Sequence, residues 1–328
     1  ISLVCNGPLL TQYRIDYHMR IPVALENGGS NAWERLDGFD NAAYRSDSTC
    51  EMLITSLVTL RKGSRAVDVV TTFDNIAENH RLRVMFPTGL AKSTHVHAES
   101  AFDVVKRPIE PPVGSPWRGI GPRTFPMQRF VDVSDGNTGL AVINDGLLEY
   151  EVTQDQDRTI ALTLLRAVET AICSSAASWE CHPEMKLSQC PGKHEFRYRV
   201  YPHAGHWNDV EIYKEIETLT LPVELLQTGA HQGDLPQRQS FMELLPACLV
   251  LSAFKRSEDD SALIVRVFNP DEKKAEGSIR FSGFIRKAEL VTLEEKILGP
   301  CEARNNVLRF MVEPKKIVTI RVVLEMTT

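Results

Sequence analysis

Apolar and polar residues alternate with period two through most of this chain, in short runs closed by Gly, Asn, Asp or Pro. Residues 12–21, 52–60, 65–72, 81–86, 102–105, 140–144, 149–153, 158–165 and 195–201 read as strands on this pattern. Tight turns separate them and no helical segments intervene, so the pattern predicts an antiparallel sandwich and excludes a doubly wound α/β fold. The clearest element is a hairpin over 130–152, where alternating stretches flank Asp135-Gly136. The expected turn is type I′, with positive φ at both central residues. On its first strand, period two puts Phe130, Asp132 and Ser134 on one face, and Val131 and Val133 on the other as core. The carboxylates are then expected on an exposed side or in a cleft.

A single stretch has helical spacing. Residues 206–219 carry Val210, Tyr213 and Ile216 at that spacing, acids in the first turn, and Asn208 or Asp209 as the expected N-cap. The irregular, Pro- and Gly-containing connection 221–244 reads as the boundary between two lobes. Beyond it, 248–254, 262–268, 277–281, 287–293, 306–312 and 317–324 predict about six short strands of a second, smaller β-sandwich. The expected division is a β domain over 1–240 and a small one over 241–328.

The 328 residues are 43% hydrophobic and 24% charged, an ordinary globular balance with material for a sizeable core. The net charge of −6, without long blocks of one sign, argues against a nucleic-acid partner. No apolar run reaches the length of a membrane span; the nearest, 159–172, is interrupted by Arg166 and Glu169. The first residue is Ile, and the opening lacks the charged and apolar regions of a signal peptide, so the chain reads as a piece of something longer. Seven irregularly spaced cysteines fit the reducing cytoplasm, with a Cys181–Cys190 bridge left open.

Several constellations suggest chemistry. His95 and His97 share a strand face that Glu99 continues, a weak chelating arrangement whose plainer reading is a solvated strand edge. Cys181, His182, Cys190 and His194, with His203 and His206 downstream, are spaced too widely for a structural zinc module. Asp132, Asp135, Asn144, Asp145 and Glu149 cluster around the hairpin, although hairpin turns use Asp for backbone reasons alone. Trp117, Arg118, Arg123, Phe125 and Arg129 lie in or just after the Pro-rich connection 108–126, which suits either a sugar-site rim or an anchor for the loop. Gly-rich phosphate loops, dinucleotide fingerprints and G-x-S-x-G elbows are absent from the sequence.

The hairpin block 130–152, the segments 100–108 and 159–167 on either side of it, and the blocks 74–87, 190–203 and 252–259 occur in one order. In that order the chain resembles the C-terminal β-rich region of the glycoside hydrolase family 38 α-mannosidases, in their bacterial branch. The resemblance implies a large antiparallel β supersandwich like that of galactose mutarotase, followed by a small β domain. It implies a retaining α-mannosidase whose aspartate nucleophile, acid and zinc belong to N-terminal α/β and helical domains. None of the nine histidines is followed two residues later by Asp, so the family's His-x-Asp zinc signature is missing. Neither nucleophile, acid nor metal ligand is therefore assigned here. The expected work of the region is to pack against the catalytic domain, complete one wall of the sugar pocket and stabilise an oligomer. Arg129, Asp132, Asp135, Asn144 and Asp145 are the candidate substrate-binding residues. Two other classes compete: a free-standing carbohydrate-binding module, and a mutarotase-like epimerase in which Glu149 would act as base and His194 or His203 as acid.

Overall fold

A computed structural model describes the chain except residues 27–43, 111–122, 169, 174–177, 182–183, 222, 234–235 and 326–328. The fold is all-β and its strand pairs are antiparallel, as the alternation predicts. Two compact units divide it: 1–96 with 107–206, and 97–106 with 207–328. The stretch 207–240, placed with the first lobe on sequence grounds, thus clusters with the second unit.

Seven strands of a larger sheet lie wholly in the first unit, in the spatial order Ser2–Asn6, Leu10–Pro22, Thr49–Arg61, Val67–Asn75, Gly192–Ala204, Thr138–Asn144 and Phe130–Ser134. The strand Gly192–Ala204 returns from far along the chain to pair with both Val67–Asn75 and Thr138–Asn144. A smaller sheet orders Phe125–Pro126, Glu149–Val152, Ile160–Arg166 and Arg81–Phe86. The two sheets meet face to face, with Phe86 edge-on to Tyr198 at 5.9 Å between ring centroids. Between them a buried polar line, Ser56 to Thr71 at 2.8 Å and Thr71 to the Tyr198 hydroxyl at 2.7 Å, is internally satisfied. Burial pushes the Tyr198 phenol above its ordinary value.

The hairpin forms where the alternation places it, joining Phe130–Ser134 to Thr138–Asn144, but its turn differs. The central pair is Gly136 and Asn137, one residue later than Asp135-Gly136; Gly136 has φ 93°, while Asn137 does not take positive φ. That is the type II′ pattern, which also fits the right-handed strand twist and needs a glycine only at the first central position.

The second unit holds a compact sandwich. One sheet orders Met242–Leu245, Ala275–Phe281, Val307–Val312 and Glu302–Arg304; the other orders Val250–Arg256, Leu263–Phe268, Ile317–Glu325, Phe284–Val291 and Ile297–Pro300. Val265, Val267, Ile279, Phe281, Leu308, Phe310 and Ile320 interdigitate as its core. The helix of this unit spans Ile212–Thr220, later than its spacing suggested, after a 3₁₀ turn Trp207–Asp209. Neither Asn208 nor Asp209 caps it. Glu211 holds the cap position without a side-chain bond, and the Asn208 amide donates to Asp271 at 3.0 Å. Tyr213 and Ile216 are buried as the periodicity predicts. No helix among the described residues is long and apolar enough to cross a membrane.

Candidate functional site: a buried polar relay in the central hairpin

The three strands around the hairpin bring together residues far apart in sequence. Thr138–Asn144 lies between Phe130–Ser134 on one side and Gly192–Ala204 on the other. Asp132 stands opposite Ala141, and Ala141 opposite Tyr201. One row along, Ser134 stands opposite Gly139, and Gly139 opposite His203. Asp132, Ser134 and His203 therefore share a face, with a small residue between them in each row. Across that gap, His203 Nε2 lies 2.7 Å from Asp132 Oδ2, and the side chains are 1% and 0% exposed. The His203 ring passes directly over Gly139. A β-carbon there would sit 2.3 Å from His203 Cε1 and 2.9 Å from Ser134 Cβ, distances that real side chains do not adopt.

The relay continues outward. Ser134 Oγ donates to Asp132 Oδ1 at 3.0 Å, and its oxygen lies 3.3 Å from His206 Nδ1. Because the serine proton is committed to the carboxylate, the ring nitrogen of His206 is the donor in the second contact. The order His203, Asp132, Ser134, His206 leads from the interior to an exposed imidazole beside the hairpin turn. Ser, His and Asp are the residue types of a nucleophilic triad, but in the wrong order. A triad places the imidazole between hydroxyl and carboxylate so that the ring accepts the serine proton. Here the carboxylate stands between them, and Ser134 gains no general base from His203.

Among the expected substrate-binding residues, Asp132 and Asn144 have their polar atoms turned into the fold. Asp132 was expected on an exposed side or in a cleft; instead both faces of its strand are buried, and the carboxylate bonds to His203 and Ser134. Asn144 is wholly buried. Its Oδ1 accepts the Leu147 N–H at 2.6 Å and its amide donates to the Gln128 carbonyl at 3.3 Å, which closes the turn after the strand. Asp135 is exposed and caps its own turn, accepting the N–H groups of Asn137 at 2.9 Å and Thr138 at 3.0 Å. Those bonds, Thr138 first, hold its carboxyl below the ordinary value. Asp145 is exposed and half-buried Arg129 accepts the Asn144 N–H through its carbonyl. The five do not form one cluster. Asp135 and Asp145 flank opposite ends of Thr138–Asn144, roughly 20 Å apart along the strand.

The other constellations have structural partners. Glu149 is held by Thr163 at 2.8 Å and by Arg81 and Arg166 at 3.6 Å each; His194 bonds the Cys190 carbonyl at 2.8 Å. With His203 on Asp132, the acid and base of the epimerase alternative each have a different partner. Phe125 packs against Tyr150 beneath the Arg107 guanidinium, 5.2 Å from the ring centroid, and Arg123 is exposed. Trp117, Arg118 and His182 lie outside the described residues. Cys190 carries a free thiol, and the side chain of Cys181 lies outside the described residues. His95 bonds Thr94 at 2.8 Å, and among the described residues no three His, Cys, Asp or Glu side chains converge as a metal site.

The blocks 74–87 and 190–203 meet in a second network. Asn75 donates to the carbonyls of Gln189 and Cys190 and accepts from His80 Nε2 at 2.8 Å, while Gln189 and Asn79 exchange two bonds. Burial, and then the charge of Arg45, hold His80 below its ordinary value of 6.5. A depressed histidine favours the fold while neutral. Below about pH 6.5 the unfolded chain takes up a proton here that the folded chain resists, so stability falls. His80→Gln is expected to flatten the dependence of the urea midpoint between about pH 7.5 and 5.5; an unchanged slope would contradict this.

Comparison with known proteins accounts for this architecture. The profile described as the glycosyl hydrolases family 38 C-terminal domain matches residues 2–170, and that of the family 38 C-terminal beta sandwich domain matches 249–320. The chain belongs to glycosyl hydrolase family 38, of which it spans the C-terminal region. A Halalkalibacterium halodurans protein named "Putative mannosylglycerate hydrolase" is 30% identical over 326 residues, 98% of this chain and 34% of its own length. An α-mannosidase crystal structure from Enterococcus faecalis superposes with a TM-score of 0.80 at 27% identity, over 98% of this chain and 34% of its own. The Saccharomyces cerevisiae α-mannosidase is 25% identical over 60% of this chain and 16% of its own length. This chain thus spans about a third of the length of the first of these relatives, and corresponds to their C-terminal part.

Proposed function

We propose that this chain is the C-terminal β region of a longer α-mannosidase-type hydrolase that, complete, cleaves α-mannosidic bonds with retention. The reading rests on one observation: almost the whole chain aligns with a third of two longer proteins, one named a putative mannosylglycerate hydrolase and the other an α-mannosidase. Retaining hydrolysis needs two carboxyl groups roughly 5 Å apart across the bond. The described acids of the hairpin are bonded within the fold or lie at opposite strand ends, so the nucleophile, the acid and a zinc ion are assigned to the preceding part of the polypeptide. The zinc assignment follows from the family resemblance; among the described residues no three His, Cys, Asp or Glu side chains converge on a place for that ion. The hairpin end that carries Asp135, with exposed His206 beside it, is the part assigned to the sugar-pocket wall. The compartment assigned is the cytoplasm. The test is to express the polypeptide encoded together with its upstream sequence and to follow hydrolysis of nitrophenyl α-mannoside by proton NMR. The α-anomer of mannose should form first; no turnover, or the β-anomer first, would overturn the proposal.

A further inference from the structure

Among the described residues, seven strands of the large sheet lie wholly in the first unit, against four in the sheet that covers it. The excess falls on the strands Ser2–Asn6 and Leu10–Pro22. Cover can be followed along two rows of one face. In the first, Tyr17 stands opposite Ile54 and Ile54 opposite Phe73; Phe73 and Ile54 are buried, and Tyr17 is 51% exposed. In the second, Tyr13 stands opposite Val58, Val58 opposite Val69, and Val69 opposite Tyr198. Tyr198 and Val69 are buried, Val58 is half-buried and Tyr13 is 45% exposed. Leu3 pairs with Tyr13 and Met19 with Met52, which extends the apolar surface on both sides. The opposite face of the same strands is finished for water. Thr55 and Arg14 bond Asp16, Gln12 bonds Thr59, and Arg20 bonds Thr49, with Leu53 as its exposed leucine. Scattered exposed apolar residues are ordinary, but a contiguous one-sided set of Leu3, Tyr13, Tyr17 and Met19 marks a surface that meets something.

We infer that this face is the seat for the polypeptide that precedes this region in the longer enzyme, an inference that rests on the proposed function above. The two outermost strands are also the first two of the chain. The matched relatives carry about two thirds of their length outside the aligned part, and the family descriptions place that part at the C-terminus. A covering segment that enters through Ser2–Asn6 therefore reaches this face before any other. Tyrosine and methionine suit such a contact. Each tyrosine has an apolar ring and a polar tip, and methionine adapts to an irregular partner.

Hydroxyl-radical footprinting reads the surface directly, with Tyr13, Tyr17 and Met19 as reporters in the 328-residue chain and in the polypeptide expressed with its upstream sequence. Labelling should fall several-fold in the longer polypeptide. Equal labelling in both would overturn the inference and leave the proposed function standing. Protection already present in the dilute 328-residue chain would overturn it in favour of cover from within the chain, and protection that grows with concentration in favour of a second copy. A polypeptide that begins at Ile1 in the cell would overturn both. Protection without hydrolysis of α-mannosides would support the seat and sink the function. As a second readout, Tyr13→Lys with Tyr17→Lys should leave the melting point of the 328-residue chain unchanged and lower that of the longer polypeptide; the same shift in both would contradict the inference.

Discussion

Gly139→Ala is expected to lower the melting temperature of the first unit by on the order of 10 °C. The added methyl would lie 2.6 Å from His203 Nε2 and 2.9 Å from Ser134 Cβ, and neither neighbour is a free chain end that can swing aside. His203 is enclosed and ties Asp132; Ser134 sits on the adjoining strand. If the ring gives way, the Asp132 carboxylate is left buried without its partner, a loss of about 3–5 kcal/mol. If the strands part instead, overpacking costs about 1–3 kcal/mol. For a unit of this size each kcal/mol lowers the midpoint by about 2–4 °C. Gly229→Ala is the matched control, since nothing lies within 4 Å of a β-carbon there. Scanning calorimetry of both variants decides the matter. A Gly139→Ala chain that melts with the parent would show that the His203 ring does not occupy this space.

Asp132→Ala and His203→Ala should each destabilise the unit by about 3–5 kcal/mol, and the double variant by much less than their sum. The reason is the enclosure. Removal of either partner leaves the other polar and dehydrated, with Ser134 as the remaining bond to the carboxylate. Removal of both takes away the uncompensated group as well. Urea denaturation of the four proteins gives the coupling, which should be at least about 1 kcal/mol. Additive losses would mean that the two side chains are stabilised separately, and the relay would not exist as a unit.

The strands and the hairpin were legible because period two survives wherever one face is buried; 81–86 was predicted to the residue and 49–61 to within three at either end. The relay was not legible as such. Asp132 was recognised as facing away from the two valines, but alternation reports a face and does not say what covers it. In this sandwich both faces of Phe130–Ser134 are covered. His203 lies 71 residues from Asp132, and only the return of Gly192–Ala204 beside Thr138–Asn144 brings them together. One local signal was available in Gly139. A glycine inside a strand weakens it unless something needs the space, and here the imidazole does. The helix start was missed for a similar reason, since Asn208 is a good cap by type but its amide is drawn to Asp271, 63 residues away. Asp135 suits both a site and a turn by residue type; its two bonds to backbone N–H groups account for the second role in full.

On the proposed function, bond cleavage belongs to the rest of the polypeptide, while Asp132, Asn144, Glu149, His80, His194 and His203 are bonded within this fold. The most direct measurement is release of nitrophenol from nitrophenyl α-mannoside by the 328-residue chain alone, with and without added zinc. The account predicts a rate equal to buffer under both conditions. Turnover proportional to chain concentration, raised by zinc and lost in Asp132→Ala under conditions where that variant remains folded, would contradict it.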